Sequence, residues 1–156
     1  MIILEYNNKN QTSDIVRDNA GTGNILVSGR LDTAVMISLF TRKLVDDDET
    51  LPDHKDDRGG WWADPYYDVK NHYIGSKLWL LGRFKATQAV LNLAKIYAQE
   101  ALQWLIDDGI AESVNVEVER QKLDYSDLLA LKVNILKPSD PASKWSGIWE
   151  FHLADL

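Results

Sequence analysis

Apolar residues recur at helical spacing up to Leu105 and, beyond Gly109, at every second position, and this switch constrains the fold more than any other feature of the sequence. Val90, Ala94, Tyr97, Ala101 and Leu105 step by four, three, four and four, with Leu91, Leu102 and Ile106 widening the stripe, so the spacing predicts a helix over 87–108. Thr87 is placed to cap its start, and Gly109 to end it in a left-handed residue. At ~1.5 Å per residue that helix is about 33 Å long, enough to cross a domain. After it, Val114, Val116 and Val118 alternate with Asn115, Glu117 and Glu119. Leu129, Leu131, Val133 and Ile135 alternate with Ala130, Lys132 and Asn134, and Trp149, Phe151 and Leu153 with Glu150 and His152. Each run describes a half-buried strand. Turn residues at 124–127 and a break over 138–143 separate them.

An earlier helix is predicted over Leu31–Lys43, with Ser28 or Asp32 as cap. Ala34, Val35, Ile37, Leu39 and Phe40 cover more than one of its faces, so it should be largely enclosed. Arg42 and Lys43 are expected in its last turn, against the negative end of the dipole. Strands in succession after a long helix predict an antiparallel meander with one face covered by helices. The fold class is therefore α+β: two main helices packed against a three-stranded antiparallel meander, with a long aromatic and acidic loop between the helices. The 156 residues amount to one domain. Residues 1–24 read as a short strand or arm (1–6) with a polar linker (7–24), and 25–156 as the single domain. Leu78, Trp79, Leu80 and Leu81, in an ambiguous stretch, need cover from elsewhere.

The chain has no cysteine, so disulfides, thiolate metal sites and cysteine nucleophiles are excluded. No apolar run reaches the length of a membrane span, and the N-terminus has no signal-peptide pattern. Lys plus Arg is 17 and Asp plus Glu 24, a net charge of −7 that argues against a dedicated nucleic-acid binder. The imbalance is local: Asp46, Asp47, Asp48, Glu49, Asp53, Asp56 and Asp57 face only Lys55 and Arg58 within 46–58. The same connection, residues 45–75, has no hydrophobic period and carries the adjacent Trp61 and Trp62, then Tyr66, Tyr67 and Tyr73, with Trp79 just beyond. Long connections of this kind are uncommon in compact domains and are often functional. The dense rings suggest an ordered loop packed on the domain or on a partner.

Catalytic patterns are weak by comparison. The acidic run lacks the spacing of a calcium loop. His54, His72 and His152 have no zinc-ligand spacing, and no serine sits in a nucleophile elbow. Gly21-Thr22-Gly23 is too short for a phosphate loop. Neither a metal nor a cofactor is expected. Asp107 and Asp108 oppose the dipole at the end of the long helix, a cost of about 0.3–1 kcal/mol each unless a cation offsets it. Arg83 and Arg120 are in-chain candidates, a basic neighbour the alternative. Arg58 is expected to hold the acidic loop by pairing with Asp56 or Asp57. The terminal segment with Ile2, Leu4 and Tyr6 has the form of a strand that adds to a partner's sheet edge. Candidate interface residues are thus Ile2, Leu4, Tyr6, Asp47, Asp48, Asp57, Arg58, Trp61, Trp62, Trp79, Asp107, Asp108 and, on the last strand, Trp149. Trp61 and Trp62 either anchor an interface or pack within their own subunit to staple the loop down.

Several ordered stretches match a known family: 31–41 (Leu-Asp-Thr-Ala-Val-Met-Ile-Ser-Leu-Phe-Thr), 47–52 (Asp-Asp-Glu-Thr-Leu-Pro), Asp57-Arg58-Gly59-Gly60-Trp61-Trp62, Gly75-Ser76-Lys77-Leu78-Trp79-Leu80-Leu81, and 97–111 from Tyr97 to Ala111. Across about residues 14–136 the chain resembles the phage tail protein family named after gene product 46 of phage Mu, related to the small wedge protein of contractile-tail baseplates. The resemblance implies a structural protein that joins larger wedge subunits to the central hub or tail tube and helps initiate sheath assembly at the first sheath ring. It would act within a symmetric hetero-oligomer in the virion tail baseplate, assembled in the host bacterial cytoplasm. More distant wedge relatives carry a Glu-Pro-Arg element after the long helix. Here Asp108-Gly109-Ile110-Ala111-Glu112-Ser113 stands instead, so that element's contacts do not carry over. Some wider relatives have been labelled lysozyme-like, and a peptidoglycan-active hydrolase is one alternative, a tail-assembly factor absent from the finished particle another.

Overall fold

A computed structural model of the chain describes residues 4–7, 12–15, 31–52, 57–66, 73–82, 84–122, 127–138 and 140–153. Its elements are strands β1 (Leu4–Asn7) and β2 (Thr12–Ile15), helices α1 (Leu31–Phe40), α2 (Gln88–Leu102) and α3 (Trp104–Asp107), and strands β3 (Ser113–Lys122), β4 (Asp127–Lys137) and β5 (Asp140–Leu153). β1 and β2 form a separate antiparallel hairpin, while β3, β4 and β5 form the antiparallel meander with β4 in the middle.

The side-chain alternation read in the sequence sets the packing. Leu129, Leu131, Val133 and Ile135 of β4 have no exposed surface and form the floor of the core. Val116 of β3 and Trp149 of β5 flank them, and Val90, Ala94, Ala98, Leu102 and Leu105 of α2 and α3 close over them with Val35 and Leu39 of α1. Each buried leucine or isoleucine contributes about 1.5–3 kcal/mol by leaving water. Ala94 and Ala98, both without exposed surface, keep side-chain bulk low where α2 lies on the sheet. Two polar ties fix the helices laterally. Ser38 donates to the carbonyl of Ala34 and accepts the Trp104 indole N–H at 3.0 Å, and the Trp145 indole donates to Asp32 Oδ1 at 3.3 Å.

Element bounds differ from expectation where local chemistry competes with the period. α1 stops at Phe40, not Lys43, because the chain turns extended: Ser76 N donates to Thr41 O and Lys43 N to Ser76 O, making a parallel bridge. Arg42 and Lys43 therefore lie outside the helix. Thr87 does cap α2, its hydroxyl accepting from Val90 N, and Gly109 adopts φ +68° at the far end. Between these points the helix breaks at Gln103, whose N–H bonds to Glu100 O three residues back instead of four. The break expected over 138–143 is much narrower, since β5 begins at Asp140 opposite Lys137. Pro141 is tolerated there because β5 is an edge strand, where an N–H need not enter a ladder. The polar linker of 7–24 holds β2 at Thr12–Ile15, so the arm is a hairpin and β1 already has a partner. Ser28, one of the caps weighed for α1, and positions 124–126 of the turn lie outside the described residues.

Gly147 has a specific reason. It sits on the inner face of β5 between Trp145 and Trp149, whose rings meet at a centroid distance of 5.6 Å. A Cβ at Gly147 would stand 2.4 Å from the Trp149 ring and 2.9 Å from that of Trp145. Gly147→Ala is expected to force both rings aside and lower stability by about 1–3 kcal/mol, read as a shift of the denaturant midpoint with unchanged slope.

Candidate interface: the aromatic and acidic loop

The connection between α1 and α2 is built rather than slack. Residues 42–45 run extended, with Gly60 N donating to Arg42 O at 3.0 Å and Val45 N to Arg58 O at 3.1 Å. On their other side lies Ser76, whose hydroxyl donates to Leu39 O and accepts from Leu78 N. The contact with Ser76 is so close that only a glycine fits beside it. At Gly75, φ is +111° and a Cβ would stand 2.3 Å from Thr41 O. Leu78, Leu80 and Leu81, in a 3-10 turn over Leu78–Leu81, find their cover in the core.

At one end of this ladder is the acidic turn. Glu49 N donates to Asp46 O at 3.2 Å, closing 46–49. The Arg58 guanidinium holds it from within: one nitrogen donates to Asp46 O at 2.6 Å, a second to Asp47 O at 2.7 Å, and Nε lies 3.1 Å from the Asp47 carboxylate. Arg58 thus clasps the acidic loop as expected, but through Asp47 and carbonyl oxygens of the turn. Asp57 directs one carboxylate oxygen to Gly59 N and the other to Arg42, each at 3.0 Å. Asp56 lies outside the described residues. Glu49 pairs with Lys77. That hydrogen bond holds the Lys77 ammonium above its ordinary pKa of 10.5, and burial raises the neighbouring Tyr97 phenol above 10.0.

At the other end is the aromatic turn, organised by Asp64. Asp64 N donates to Trp61 O at 3.0 Å, and its Oδ2 accepts Trp61 N at 3.0 Å. Its Oδ1 accepts Ile74 N at 3.3 Å, so one carboxylate, buried at 9% exposure, fastens both strands of the loop. Trp61 is half-buried, whereas Trp62 and Tyr66 are 78% and 80% exposed. Trp62 lies 5.5 Å from Trp61 and meets Tyr66 edge-on at 6.4 Å. Trp79 is used internally: its indole donates to Lys43 O at 3.2 Å, and the Arg42 guanidinium sits 4.2 Å above its ring.

The structure therefore brings together Asp47, Asp48, Asp57, Arg58, Trp61, Trp62 and Trp79, and leaves the other candidates apart. Asp107 and Asp108 are exposed at the end of α3, where Gln103 Nε2 donates to Asp107 at 3.0 Å. Arg83, one of the cations weighed for them, and Ile2 lie outside the described residues, and Leu4 and Tyr6 belong to β1. Trp149 is corrected: at 7% exposure it is a core residue, because it shares the inward row of β5 with Trp145. Arg42, Asp64 and Tyr66 were not among the candidate interface residues. Asp64 had a readable signal, an acid three residues after Trp61, the spacing at which a carboxylate reaches back to a turn's first N–H.

The family described as Phage protein GP46 matches residues 31–142, from the start of α1 into β5. The chain belongs to the GP46 family. It is 46% identical over 111 residues to the baseplate protein gp46 of Escherichia phage Mu, covering 71% of this chain and 72% of that protein. It is 37% identical over 118 residues to the Mu-like prophage FluMu protein gp46 of Haemophilus influenzae, 76% of each chain. The matched span contains the whole aromatic and acidic loop. Among the described residues of this GP46-family chain, no group of three or more His, Asp or Glu is placed to hold a metal, and no helix is long and apolar enough to cross a membrane.

Two outcomes follow from the loop. Asp64→Ala leaves the Trp61 and Ile74 amides without an acceptor, a cost of about 1–3 kcal/mol. Hydrogen exchange is expected to speed up in 61–66 and 73–75 while α2 stays protected. The raised folded pKa of Lys77 means that its contribution is complete below the unfolded value of 10.5 and is lost as pH rises through the folded value; Tyr97 acts in the same direction. Stability should therefore fall above about pH 10.5, and less steeply in Lys77→Met, when unfolding midpoints are compared across the alkaline range.

Proposed function

We propose that this chain is a structural wedge component of a contractile phage tail baseplate. In this reading it joins larger wedge subunits to the central hub or tail tube and helps start assembly at the first sheath ring. The observation that carries the reading is the 46% identity over 111 residues with the baseplate protein gp46 of phage Mu. The family match over residues 31–142 holds the two main helices, the loop between them and the first two strands of the meander. Identity at this level over most of a domain favours the same fold and the same use of it. The geometry supports an assembly role. A closed α+β core carries a loop whose backbone is fixed by its own hydrogen bonds, and the loop presents aromatic and acidic side chains outward. In a baseplate each copy meets several different neighbours, so the surfaces it offers are heterologous.

A deletion of the gene is expected to leave tails without sheathed, contractile particles, restored by the chain supplied in trans. Mass spectrometry of purified particles should find the protein at a fixed ratio to the larger baseplate subunits. Sheathed, contractile tails from the deletion strain would sink the reading. Absence of the chain from finished particles would make it an assembly factor instead.

A further inference from the structure

We propose that the Trp62–Tyr66 turn is a preformed aromatic plug that seats in an apolar socket on a basic surface of another protein of the particle, with the acidic turn at 46–48 facing the cations around that socket. The inference rests on the baseplate reading, because it takes the partner from the assembled particle.

Singly exposed apolar side chains are ordinary. These two are not single: at 78% and 80% they are the most exposed large apolar side chains among the described residues, and they touch each other edge-on. They stand on a turn that Asp64 has already fixed at both strands, so seating them would order little further backbone. Trp and Tyr are also the side chains that most often carry interface energy. Leu44, 39% exposed and leaning on Gly60, continues the apolar strip toward the acidic turn. Along the ladder of 42–45 with 58–60, at ~3.3 Å per residue, the two turns lie only about 10 Å apart, so one partner surface covers both.

Charge selects the partner. The Asp47 carboxylate is fully solvent-exposed despite its contact with Arg58, and Asp46 and Asp48 extend the turn beside it. A second copy of this chain would set acidic turn near acidic turn, whereas a basic surface is drawn to it. Area selects the setting. Two aromatic rings supply roughly 150–250 Å² each, well short of the about 800 Å² per side of a freestanding interface. The plug therefore works as one anchor of a subunit held by several neighbours, and the isolated chain should be a monomer.

Hydroxyl-radical footprinting of the full chain, free and in purified particles, tests this by mass spectrometry. Trp62 and Tyr66 are expected to be labelled in the free chain and about tenfold less in the particle, with the core residue Trp149 low in both. A Trp62→Ala/Tyr66→Ala variant and an Asp46→Lys/Asp48→Lys variant, each with an unfolding midpoint near that of the parent, should enter particles about tenfold less when supplied to a deletion strain. Equal labelling of Trp62 in the free and assembled chain, or normal incorporation of the aromatic variant, overturns the plug while the baseplate reading stands. Normal incorporation of the charge variant overturns the basic socket. Absence of the parent chain from particles overturns the baseplate reading and the plug with it.

Discussion

Everything in this molecule hangs from the inner row of β4. Leu129, Leu131, Val133 and Ile135 are solvent-free, and the strand that carries them is hydrogen-bonded on both sides. A helix can lie on that row only if its facing residues are small or fill the gaps, which Ala94 and Ala98 with Val90, Leu102 and Leu105 do. α1 then docks through Val35 and Leu39, and its end is thereby fixed. Because α1 ends at Phe40 in a defined place, Thr41 and Lys43 meet Ser76, and the extended 42–45 segment starts from a rigid base. The loop that presents Trp62 is in this sense the last link of a chain of constraints that begins in the sheet.

Within the loop, magnitudes decide what does the holding. Exposed ion pairs are worth about 0–1 kcal/mol, so the Arg42–Asp57 pair, with both side chains about half exposed, contributes little alone. Hydrogen bonds that spare a buried group from losing its water are worth more, because an unmet one costs about 1–3 kcal/mol. Asp64 accepting the backbone N–H groups of Trp61 and Ile74, from two separate stretches of the loop, is of that kind. Arg58 acts likewise, spending most of its donors on carbonyl oxygens of the acidic turn. The guanidinium also places positive charge inside the turn where carboxylates crowd, so the geometry and the electrostatics of the turn have one cause.

The legible part of the fold was the part with a period. The helical stripe from Val90 to Leu105, the Thr87 cap, the Gly109 terminus and the alternating valines and leucines of β3 and β4 all follow from spacing alone. The pairing of β2 with β1 had no such signal, since Thr12, Ser13 and Asp14 look like linker residues. Apart from the spacing of Asp64 to Trp61, the loop had none either, because its order comes from contacts such as Arg58 with Asp46 and Gly75 with Thr41, which no local spacing encodes. Trp149 is a different case. Strand alternation puts Trp149 in one row with Trp145, and both pack on the core, so its core position was available from the same pattern that predicted the strand.

Adjacent tryptophans at a turn pose a choice that this structure resolves by splitting them. Asp64 holds the backbone of Trp61, whose ring is half-buried, while Trp62 beside it stands exposed. A ring of about 200 Å² left in water forgoes on the order of 5 kcal/mol of burial at ~25 cal/mol per Å². A free subunit gains nothing from that exposure. The unrealised burial is available to any neighbour that covers Trp62, and the rigidity of Asp64 and its two N–H partners means that little is lost in reaching the covered state. The same dipeptide thus gives one ring to the fold and holds the other ready outside it, a division of labour that suits a subunit whose work is to be joined.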